Sequence, residues 1–244
     1  MSGSGRVWPG KVRGGVSLTY DGTLEEHLSD VVPVLDAHGL RGTFYAYPPN
    51  LVKLPLDWMK VVENGHEVGN HSLMGLTDRD GMLPDLSPEL ALEDVLEGER
   101  LLEELFPEAN HSFAQPAVRG FTETLNPVVP PILRRSILRL NDQVCALATD
   151  RFPASRSAHD GLNPVGDTAP NAVRSMLADG MDAEALILLA KMARTERAWL
   201  VLVFGGLRDS EFDPDAHEGL CRFLADQREA LLVAPLVEVA ARFG

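Results

Sequence analysis

Apolar and polar positions switch period along the chain in a way that predicts strands followed by helices. VSLTY (16–20) reads as a strand, and TLEEHLSDVVPVLDAHG (23–39) as an amphipathic helix with Gly39 at its end. RGTFYAY (41–47) is a β-rich run, PLDWMKVVENG (55–65) a short helix closed by Gly65, and HEVGNH (66–71) a brief alternating strand. SPELALEDVLEGERLLEELF (87–106) has the clearest helical spacing, with Ser87 as cap and Pro88 in the first turn. SFAQP (112–116) is the next strand. From Arg119 to about Pro170 the pattern is hard to read: VCALATD (144–150) is apolar enough for a strand, and a Gly/Pro/Asn-rich stretch follows.

Order returns with MDAEALILLAKMARTER (181–197) as helix, AWLVLVFGG (198–206) as an apolar strand and DAHEGLCRFLADQREA (215–230) as helix. LLVAPL (231–236) is a last strand, and VEVAARFG (237–244) a closing helix. A continuous run such as WLVLVF is buried on both faces, as in a parallel sheet wrapped by helices. Six or seven βα units imply a (β/α) barrel or a doubly wound sheet, with chemistry gathered at the C-terminal strand ends. One domain over 1–244, with 1–14 as an N-terminal extension, accounts for the whole pattern.

Charge narrows the partners. The net charge of −14 disfavours nucleic acid and anionic lipid, which both need cationic surface. It leaves a small-molecule or saccharide substrate open, and does not speak to homo-oligomers. Cys145 and Cys221 stand in apolar segments without metal-ligand spacing and read as buried free thiols. No signal-like apolar core opens the chain and no run reaches membrane-spanning length, so a cytoplasmic protein is expected.

Candidate chemistry lies where strands end. Asp21 follows the first strand; it is either a helix cap or a carboxylate at a pocket, and Thr23 with Glu26 competes for the cap. His71 closes HEVGNH. His66 and His71 are five apart, roughly 140° around a helix and opposite faces of a strand, so one metal cannot readily take both. Asp78 and Asp80 read as turn residues in TDRDG, and His27, His38 and His217 as surface positions on helices.

Together LTYDG, GHEVGNHS, SFAQP, LVFGG and the closing VAPLVEVA resemble, in that order, the polysaccharide deacetylase family, also called the NodB-homology or carbohydrate esterase 4 fold. The resemblance implies a distorted (β/α)7 barrel and removal of acetyl groups from N-acetylated sugars with one divalent metal. It puts Asp21 on the catalytic base and His71 on the first histidine ligand. Gly22 falls where a metal-binding aspartate is expected, Gly75 at the second histidine and Gly205 at the general-acid histidine. By this alignment no cofactor is expected, zinc included, because a lone histidine is a poor zinc site.

Three function classes follow. The first is a metal-independent hydrolase of non-peptide C–N bonds, in N-acetyl sugars or cyclic amides and ureides. Here Asp21 and His71 would be catalytic, and His66, Gln115, Arg119 and Tyr20 would contact substrate. The second is a non-catalytic saccharide- or metabolite-binding relative, with Tyr20, Tyr45, Tyr47 and Trp58 available for stacking or for the core. The third, ranked last, keeps a metal on Asp21, His71 and Asp78 or Asp80.

Overall fold

In a computed structural model of the protein, which describes residues 8–73, 87–114, 139, 142–205 and 212–243, the apolar runs join one sheet that closes on itself. The strands are β1 (Gly14–Asp21), β2 (Thr43–Ala46), β3 (Glu67–Asn70), β4 (Phe113–Ala114), β5 (Ser155–Asp160), β6 (Val173–Leu177), β7 (Trp199–Phe204) and β8 (Leu231–Val233). Neighbours pair in parallel from β2 through β7 to β1, and β1 pairs back to β2, closing a seven-stranded barrel. β1 meets β8 through Gly14–Val16 and β2 through Thr19–Asp21 on the same edge, so β8 wedges in below β2. The expected (β/α)7 barrel is the observed fold, and the wedge is its distortion.

Helices wrap the outside: α1 (Val32–Ala37), α2 (Pro48–Leu51), α3 (Pro55–Glu63), α4 (Pro88–Leu105), α5 over 142–147, α6 (Ala183–Glu196), α7 (Pro214–Asp226) and α8 (Leu236–Ala240). Ser87 and Asp182 cap α4 and α6 by accepting from Leu90 and Ala185 amides. The segment 144–150, which had the look of a strand, is helix and turn; Val144 and Ala148 are both buried, four apart, a helical spacing. The Thr23 cap does not form. Thr23 adopts φ 45° and its hydroxyl bonds to the backbone of Tyr47, while His27 Nδ1 accepts the Leu24 amide. The helix then opens with a π turn, His27–Val31, just ahead of Pro33, which has no N–H to give.

Side-chain parity divides the core in two. Leu18, Tyr20, Phe44, Leu202 and Phe204 point outward and pack with Leu35, Trp58, Leu186 and Leu220 of the helices. Tyr45, Ala114, Val173, Trp199 and Val201 point inward, over a floor made by Trp8, Leu236 and Val239. Trp8, in the expected extension, is thus packed into the domain, its ring edge-on to Phe243. His27 and His217 are also buried, at 0% and 1% exposure, against their expected place on the surface. His217 turns inward to meet the Tyr20 hydroxyl at 2.7 Å. Burial holds each ring's pKa down at about 4, so both are neutral at pH 7.

Candidate active site

Thr19 and Asp21 face into the barrel on alternate positions of β1, and Asp21 stands at its open, C-terminal end. The group that meets them comes from β5. Arg156, in register with Ala114 of β4, sends Nη1 to Thr19 Oγ1 at 2.7 Å and Nη2 to Asp21 Oδ2 at 2.6 Å. Its guanidinium carbon lies 4.6 Å from the centre of the Tyr45 ring. The ion-paired side chains are 3% and 13% exposed. Burial alone would push the Asp21 carboxyl up; the Arg156 charge, then His71 and the Arg156 hydrogen bond, bring it below the usual carboxylate range. Asp21 is therefore ionised at neutral pH. Its Oδ1 is buried and finds no hydrogen-bond donor among the described residues.

His71, one residue past β3, brings a second acceptor. Its Nδ1 lies 2.8 Å from the Ala114 carbonyl, which can only accept, so Nδ1 carries the proton. Burial holds the ring pKa below its ordinary value, with Asp21 opposing and Arg156 reinforcing. The neutral ring therefore presents a bare Nε2, 3.8 Å from Asp21 Oδ2 and beyond hydrogen-bond length.

The loop under His71 is fixed from α4. Asn70 Oδ1 accepts the Ser72 amide at 2.7 Å, and Asn70 Nδ2 donates to Val95 O and to Glu99 Oε2. Glu99 Oε1 in turn meets His111 Nδ1 at 2.8 Å. Gly98 lets α4 approach: a Cβ there would stand 3.0 Å from the Ser72 carbonyl carbon and 3.1 Å from the Leu73 nitrogen. Gly98→Val is therefore expected to cost about 2 kcal/mol by overpacking against backbone. Urea denaturation checks the cost, and a shifted His71 ring resonance checks the displaced loop.

The other expected contacts divide. Tyr20 is fully buried outside the barrel wall, stacked between Phe44 and Phe204, and cannot touch a ligand at the mouth. His66 lies before β3, at the opposite end from Asn70 and His71, where Nδ1 accepts the Gly42 amide and Nε2 meets Asp36. Tyr20 and His66, expected as substrate contacts, thus both lie away from the mouth that Asp21 and His71 share. Of the other aromatics, Trp58 belongs to the outer core, Tyr45 lies under the Arg156 guanidinium and Tyr47 is half-buried just past the end of β2. Gln115, Arg119, Gly75, Asp78 and Asp80 lie outside the described residues. Arg156 was not singled out from sequence; its strand, SRSAHD, is polar at most positions and carries no apolar alternation.

The resemblance implies a divalent metal, and the described residues can be tested against one. Asp21 and His71 are the donors that converge, and no group of three His, Cys, Asp or Glu able to hold an ion occurs among the described residues. A zinc site ordinarily takes three or four protein ligands. Asp21 Oδ2 already holds a guanidinium, whose charge would repel a cation bound to the same carboxylate. Gly22 sits at φ 100°, where an aspartate would be strained. These residues do not fit a divalent ion.

A family model described as polysaccharide deacetylase matches residues 11–128. A search of curated protein sequences gives no significant match. Among solved structures, the chain is similar to a family 4 acetyl xylan esterase from Clostridium thermocellum in complex with a cobalt ion. That likeness has a TM-score of 0.57 at 15% identity, covering 93% of this chain and 90% of that one. It is similar also to the Xyl-CE4 domain of a multidomain xylanase from the hindgut metagenome of Trinervitermes trinervoides. There the TM-score is 0.57 at 13% identity, over 94% and 90% of the two chains. A third is a mutant of BA3943, a CE4 family pseudoenzyme with restored enzymatic activity, with a TM-score of 0.54 at 15% identity over 95% and 69%. At such identities these likenesses establish the shared fold.

Proposed function

We propose that this chain, of the polysaccharide deacetylase family, hydrolyses a non-peptide C–N bond without a resident metal ion, acting on an N-acetylated sugar or a cyclic amide or ureide. The observation that carries the reading is the His71 tautomer. With Nδ1–H committed to Ala114 O, the Nε2 lone pair is turned toward the ionised Asp21 at the mouth of the barrel. His71 is then the proton acceptor for an attacking water, and Asp21 steadies the imidazolium that forms. Arg156 supplies a buried positive charge for the developing oxyanion. The division of labour differs from the one drawn from sequence, because an aspartate held low by Arg156 is a weak base.

A second reading, binding of a saccharide or metabolite without turnover, is favoured by Gly205. No side chain stands there to protonate a leaving group. The two readings part in one experiment: purified protein in EDTA, offered N-acetylated sugar oligomers and cyclic ureides, with products followed by mass spectrometry. The hydrolase reading expects turnover that EDTA leaves intact and Asp21→Asn lowers at least about thirtyfold, within the range for acid–base groups. Calorimetric binding without product supports the second reading. Turnover abolished by EDTA and restored by zinc overturns metal-free hydrolysis.

A further inference from the structure

Three adjacent strands end level at the mouth. Val203 of β7 pairs with Leu177 of β6 on one side and with Thr19 of β1 on the other. Two residues further along each chain come Asp179, Gly205 and Asp21, which share the inward parity of Thr19. The Ala178 amide still bonds to Val203 O, so the ladder carries the row to its edge. At about 4.8 Å per strand, the backbones of Asp179 and Asp21 stand roughly 10 Å apart, with a residue lacking a side chain between them.

Asp179 leans into that gap. Its Oδ2 accepts the Gly205 amide at 2.9 Å, and a Cβ on residue 205 would come 3.2 Å from the same oxygen. The residue is half-buried. The carboxyl thus occupies space beside the position where the resemblance places a general acid.

We propose that Asp179 is the proton donor to the departing nitrogen, an inference that rests on the C–N hydrolysis proposed above. Water attacks the carbonyl carbon and gives a proton to His71 Nε2, and the carbonyl π pair moves to oxygen. As the oxyanion collapses the C–N bond breaks, its electron pair goes to nitrogen, and nitrogen takes the proton of the Asp179 carboxyl. The Gly205 N–H stabilises the carboxylate left behind. The imidazolium proton returns to Asp179 through solvent, which closes the cycle with one water consumed.

The test compares leaving groups. 4-Nitrophenyl acetate expels a phenolate that needs no proton, whereas tetra-N-acetylchitotetraose and hydantoin expel nitrogen that does. Asp179→Asn is expected to lower kcat on whichever amide the wild type cleaves by about 100-fold, the size of a general-acid contribution, and to leave the ester within threefold. Asp21→Asn lowers both. Equal losses on ester and amide, or no loss on either, overturn the role of Asp179 while the hydrolase reading stands. A wild type that cleaves the ester alone also overturns it, and one that cleaves nothing overturns the hydrolase reading and this inference with it. Should Asp179→Asn fail to fold, Asp179→Glu, which keeps the acid, is expected to retain the ester rate and part of the amide rate.

Discussion

Arg156→Met is expected to destabilise the protein by about 3–5 kcal/mol, the usual cost of removing one partner from a buried ion pair. The guanidinium is 3% exposed and meets three groups at once: the Asp21 carboxylate, the Thr19 hydroxyl and the Tyr45 face. Methionine fills much of the volume but donates nothing, so Asp21 is left as a buried carboxylate whose second oxygen already lacks a donor among the described residues. The pair itself is a different matter from its halves. Arg156→Met with Asp21→Asn removes both charges and is expected to recover most of the loss, since neutral replacements of buried pairs are often tolerated. Urea denaturation of the two single variants and the double gives the coupling directly. A single Arg156→Met variant within 1 kcal/mol of wild type would sink the ion pair, and the electrostatics of the mouth with it.

The second large effect is expected at the other end of the barrel. Glu67 is 5% exposed and accepts four hydrogen bonds. Oε1 takes the Ser112 amide at 2.9 Å and its hydroxyl at 2.5 Å, while Oε2 takes the Thr43 hydroxyl at 2.8 Å and the Val237 amide at 3.0 Å. Thr43 passes the chain on by accepting the Leu236 amide at 2.8 Å. One carboxylate thus ties β2, β3, the approach to β4 and the first turn of α8. Glu67→Gln turns an NH2 toward one of the two donor pairs, and the orphaned groups are expected to cost about 3 kcal/mol together. Because two of those donors belong to or bind the start of α8, the loss should appear first as early proteolysis near residues 234–240. An intact C-terminal segment and an unchanged denaturation midpoint would contradict the network.

Much of this arrangement can be read from the chain. WLVLVF announces a strand buried on both faces, and Asp21 and His71 are visible as polar residues that end strands. Their mutual geometry is not visible, because it depends on which neighbour fills the space between. That neighbour is Arg156, on a strand where Ser155 and Ser157 flank it with buried polar side chains, so that no apolar face alternates and the sequence imitates a loop. Outward-facing residues misled in the opposite sense: Tyr20 ends its strand beside Asp21 yet points to the helices, since successive side chains alternate across the wall. His27 and His217 sit on helices rich in charge, and nothing in their spacing tells that each ring turns inward among aromatics. His66 shares a motif with His71 but stands a strand's length away, at the opposite end of the barrel.

The ring contact between Trp8 and Phe243 bears on how the protein can be handled. Trp8 is part of the barrel floor and Phe243 packs against it, on the far side from Asp21. Their ring centres are 5.5 Å apart. A tether, label or surface attachment placed beside either ring would hold the molecule by its base, with the mouth facing solution.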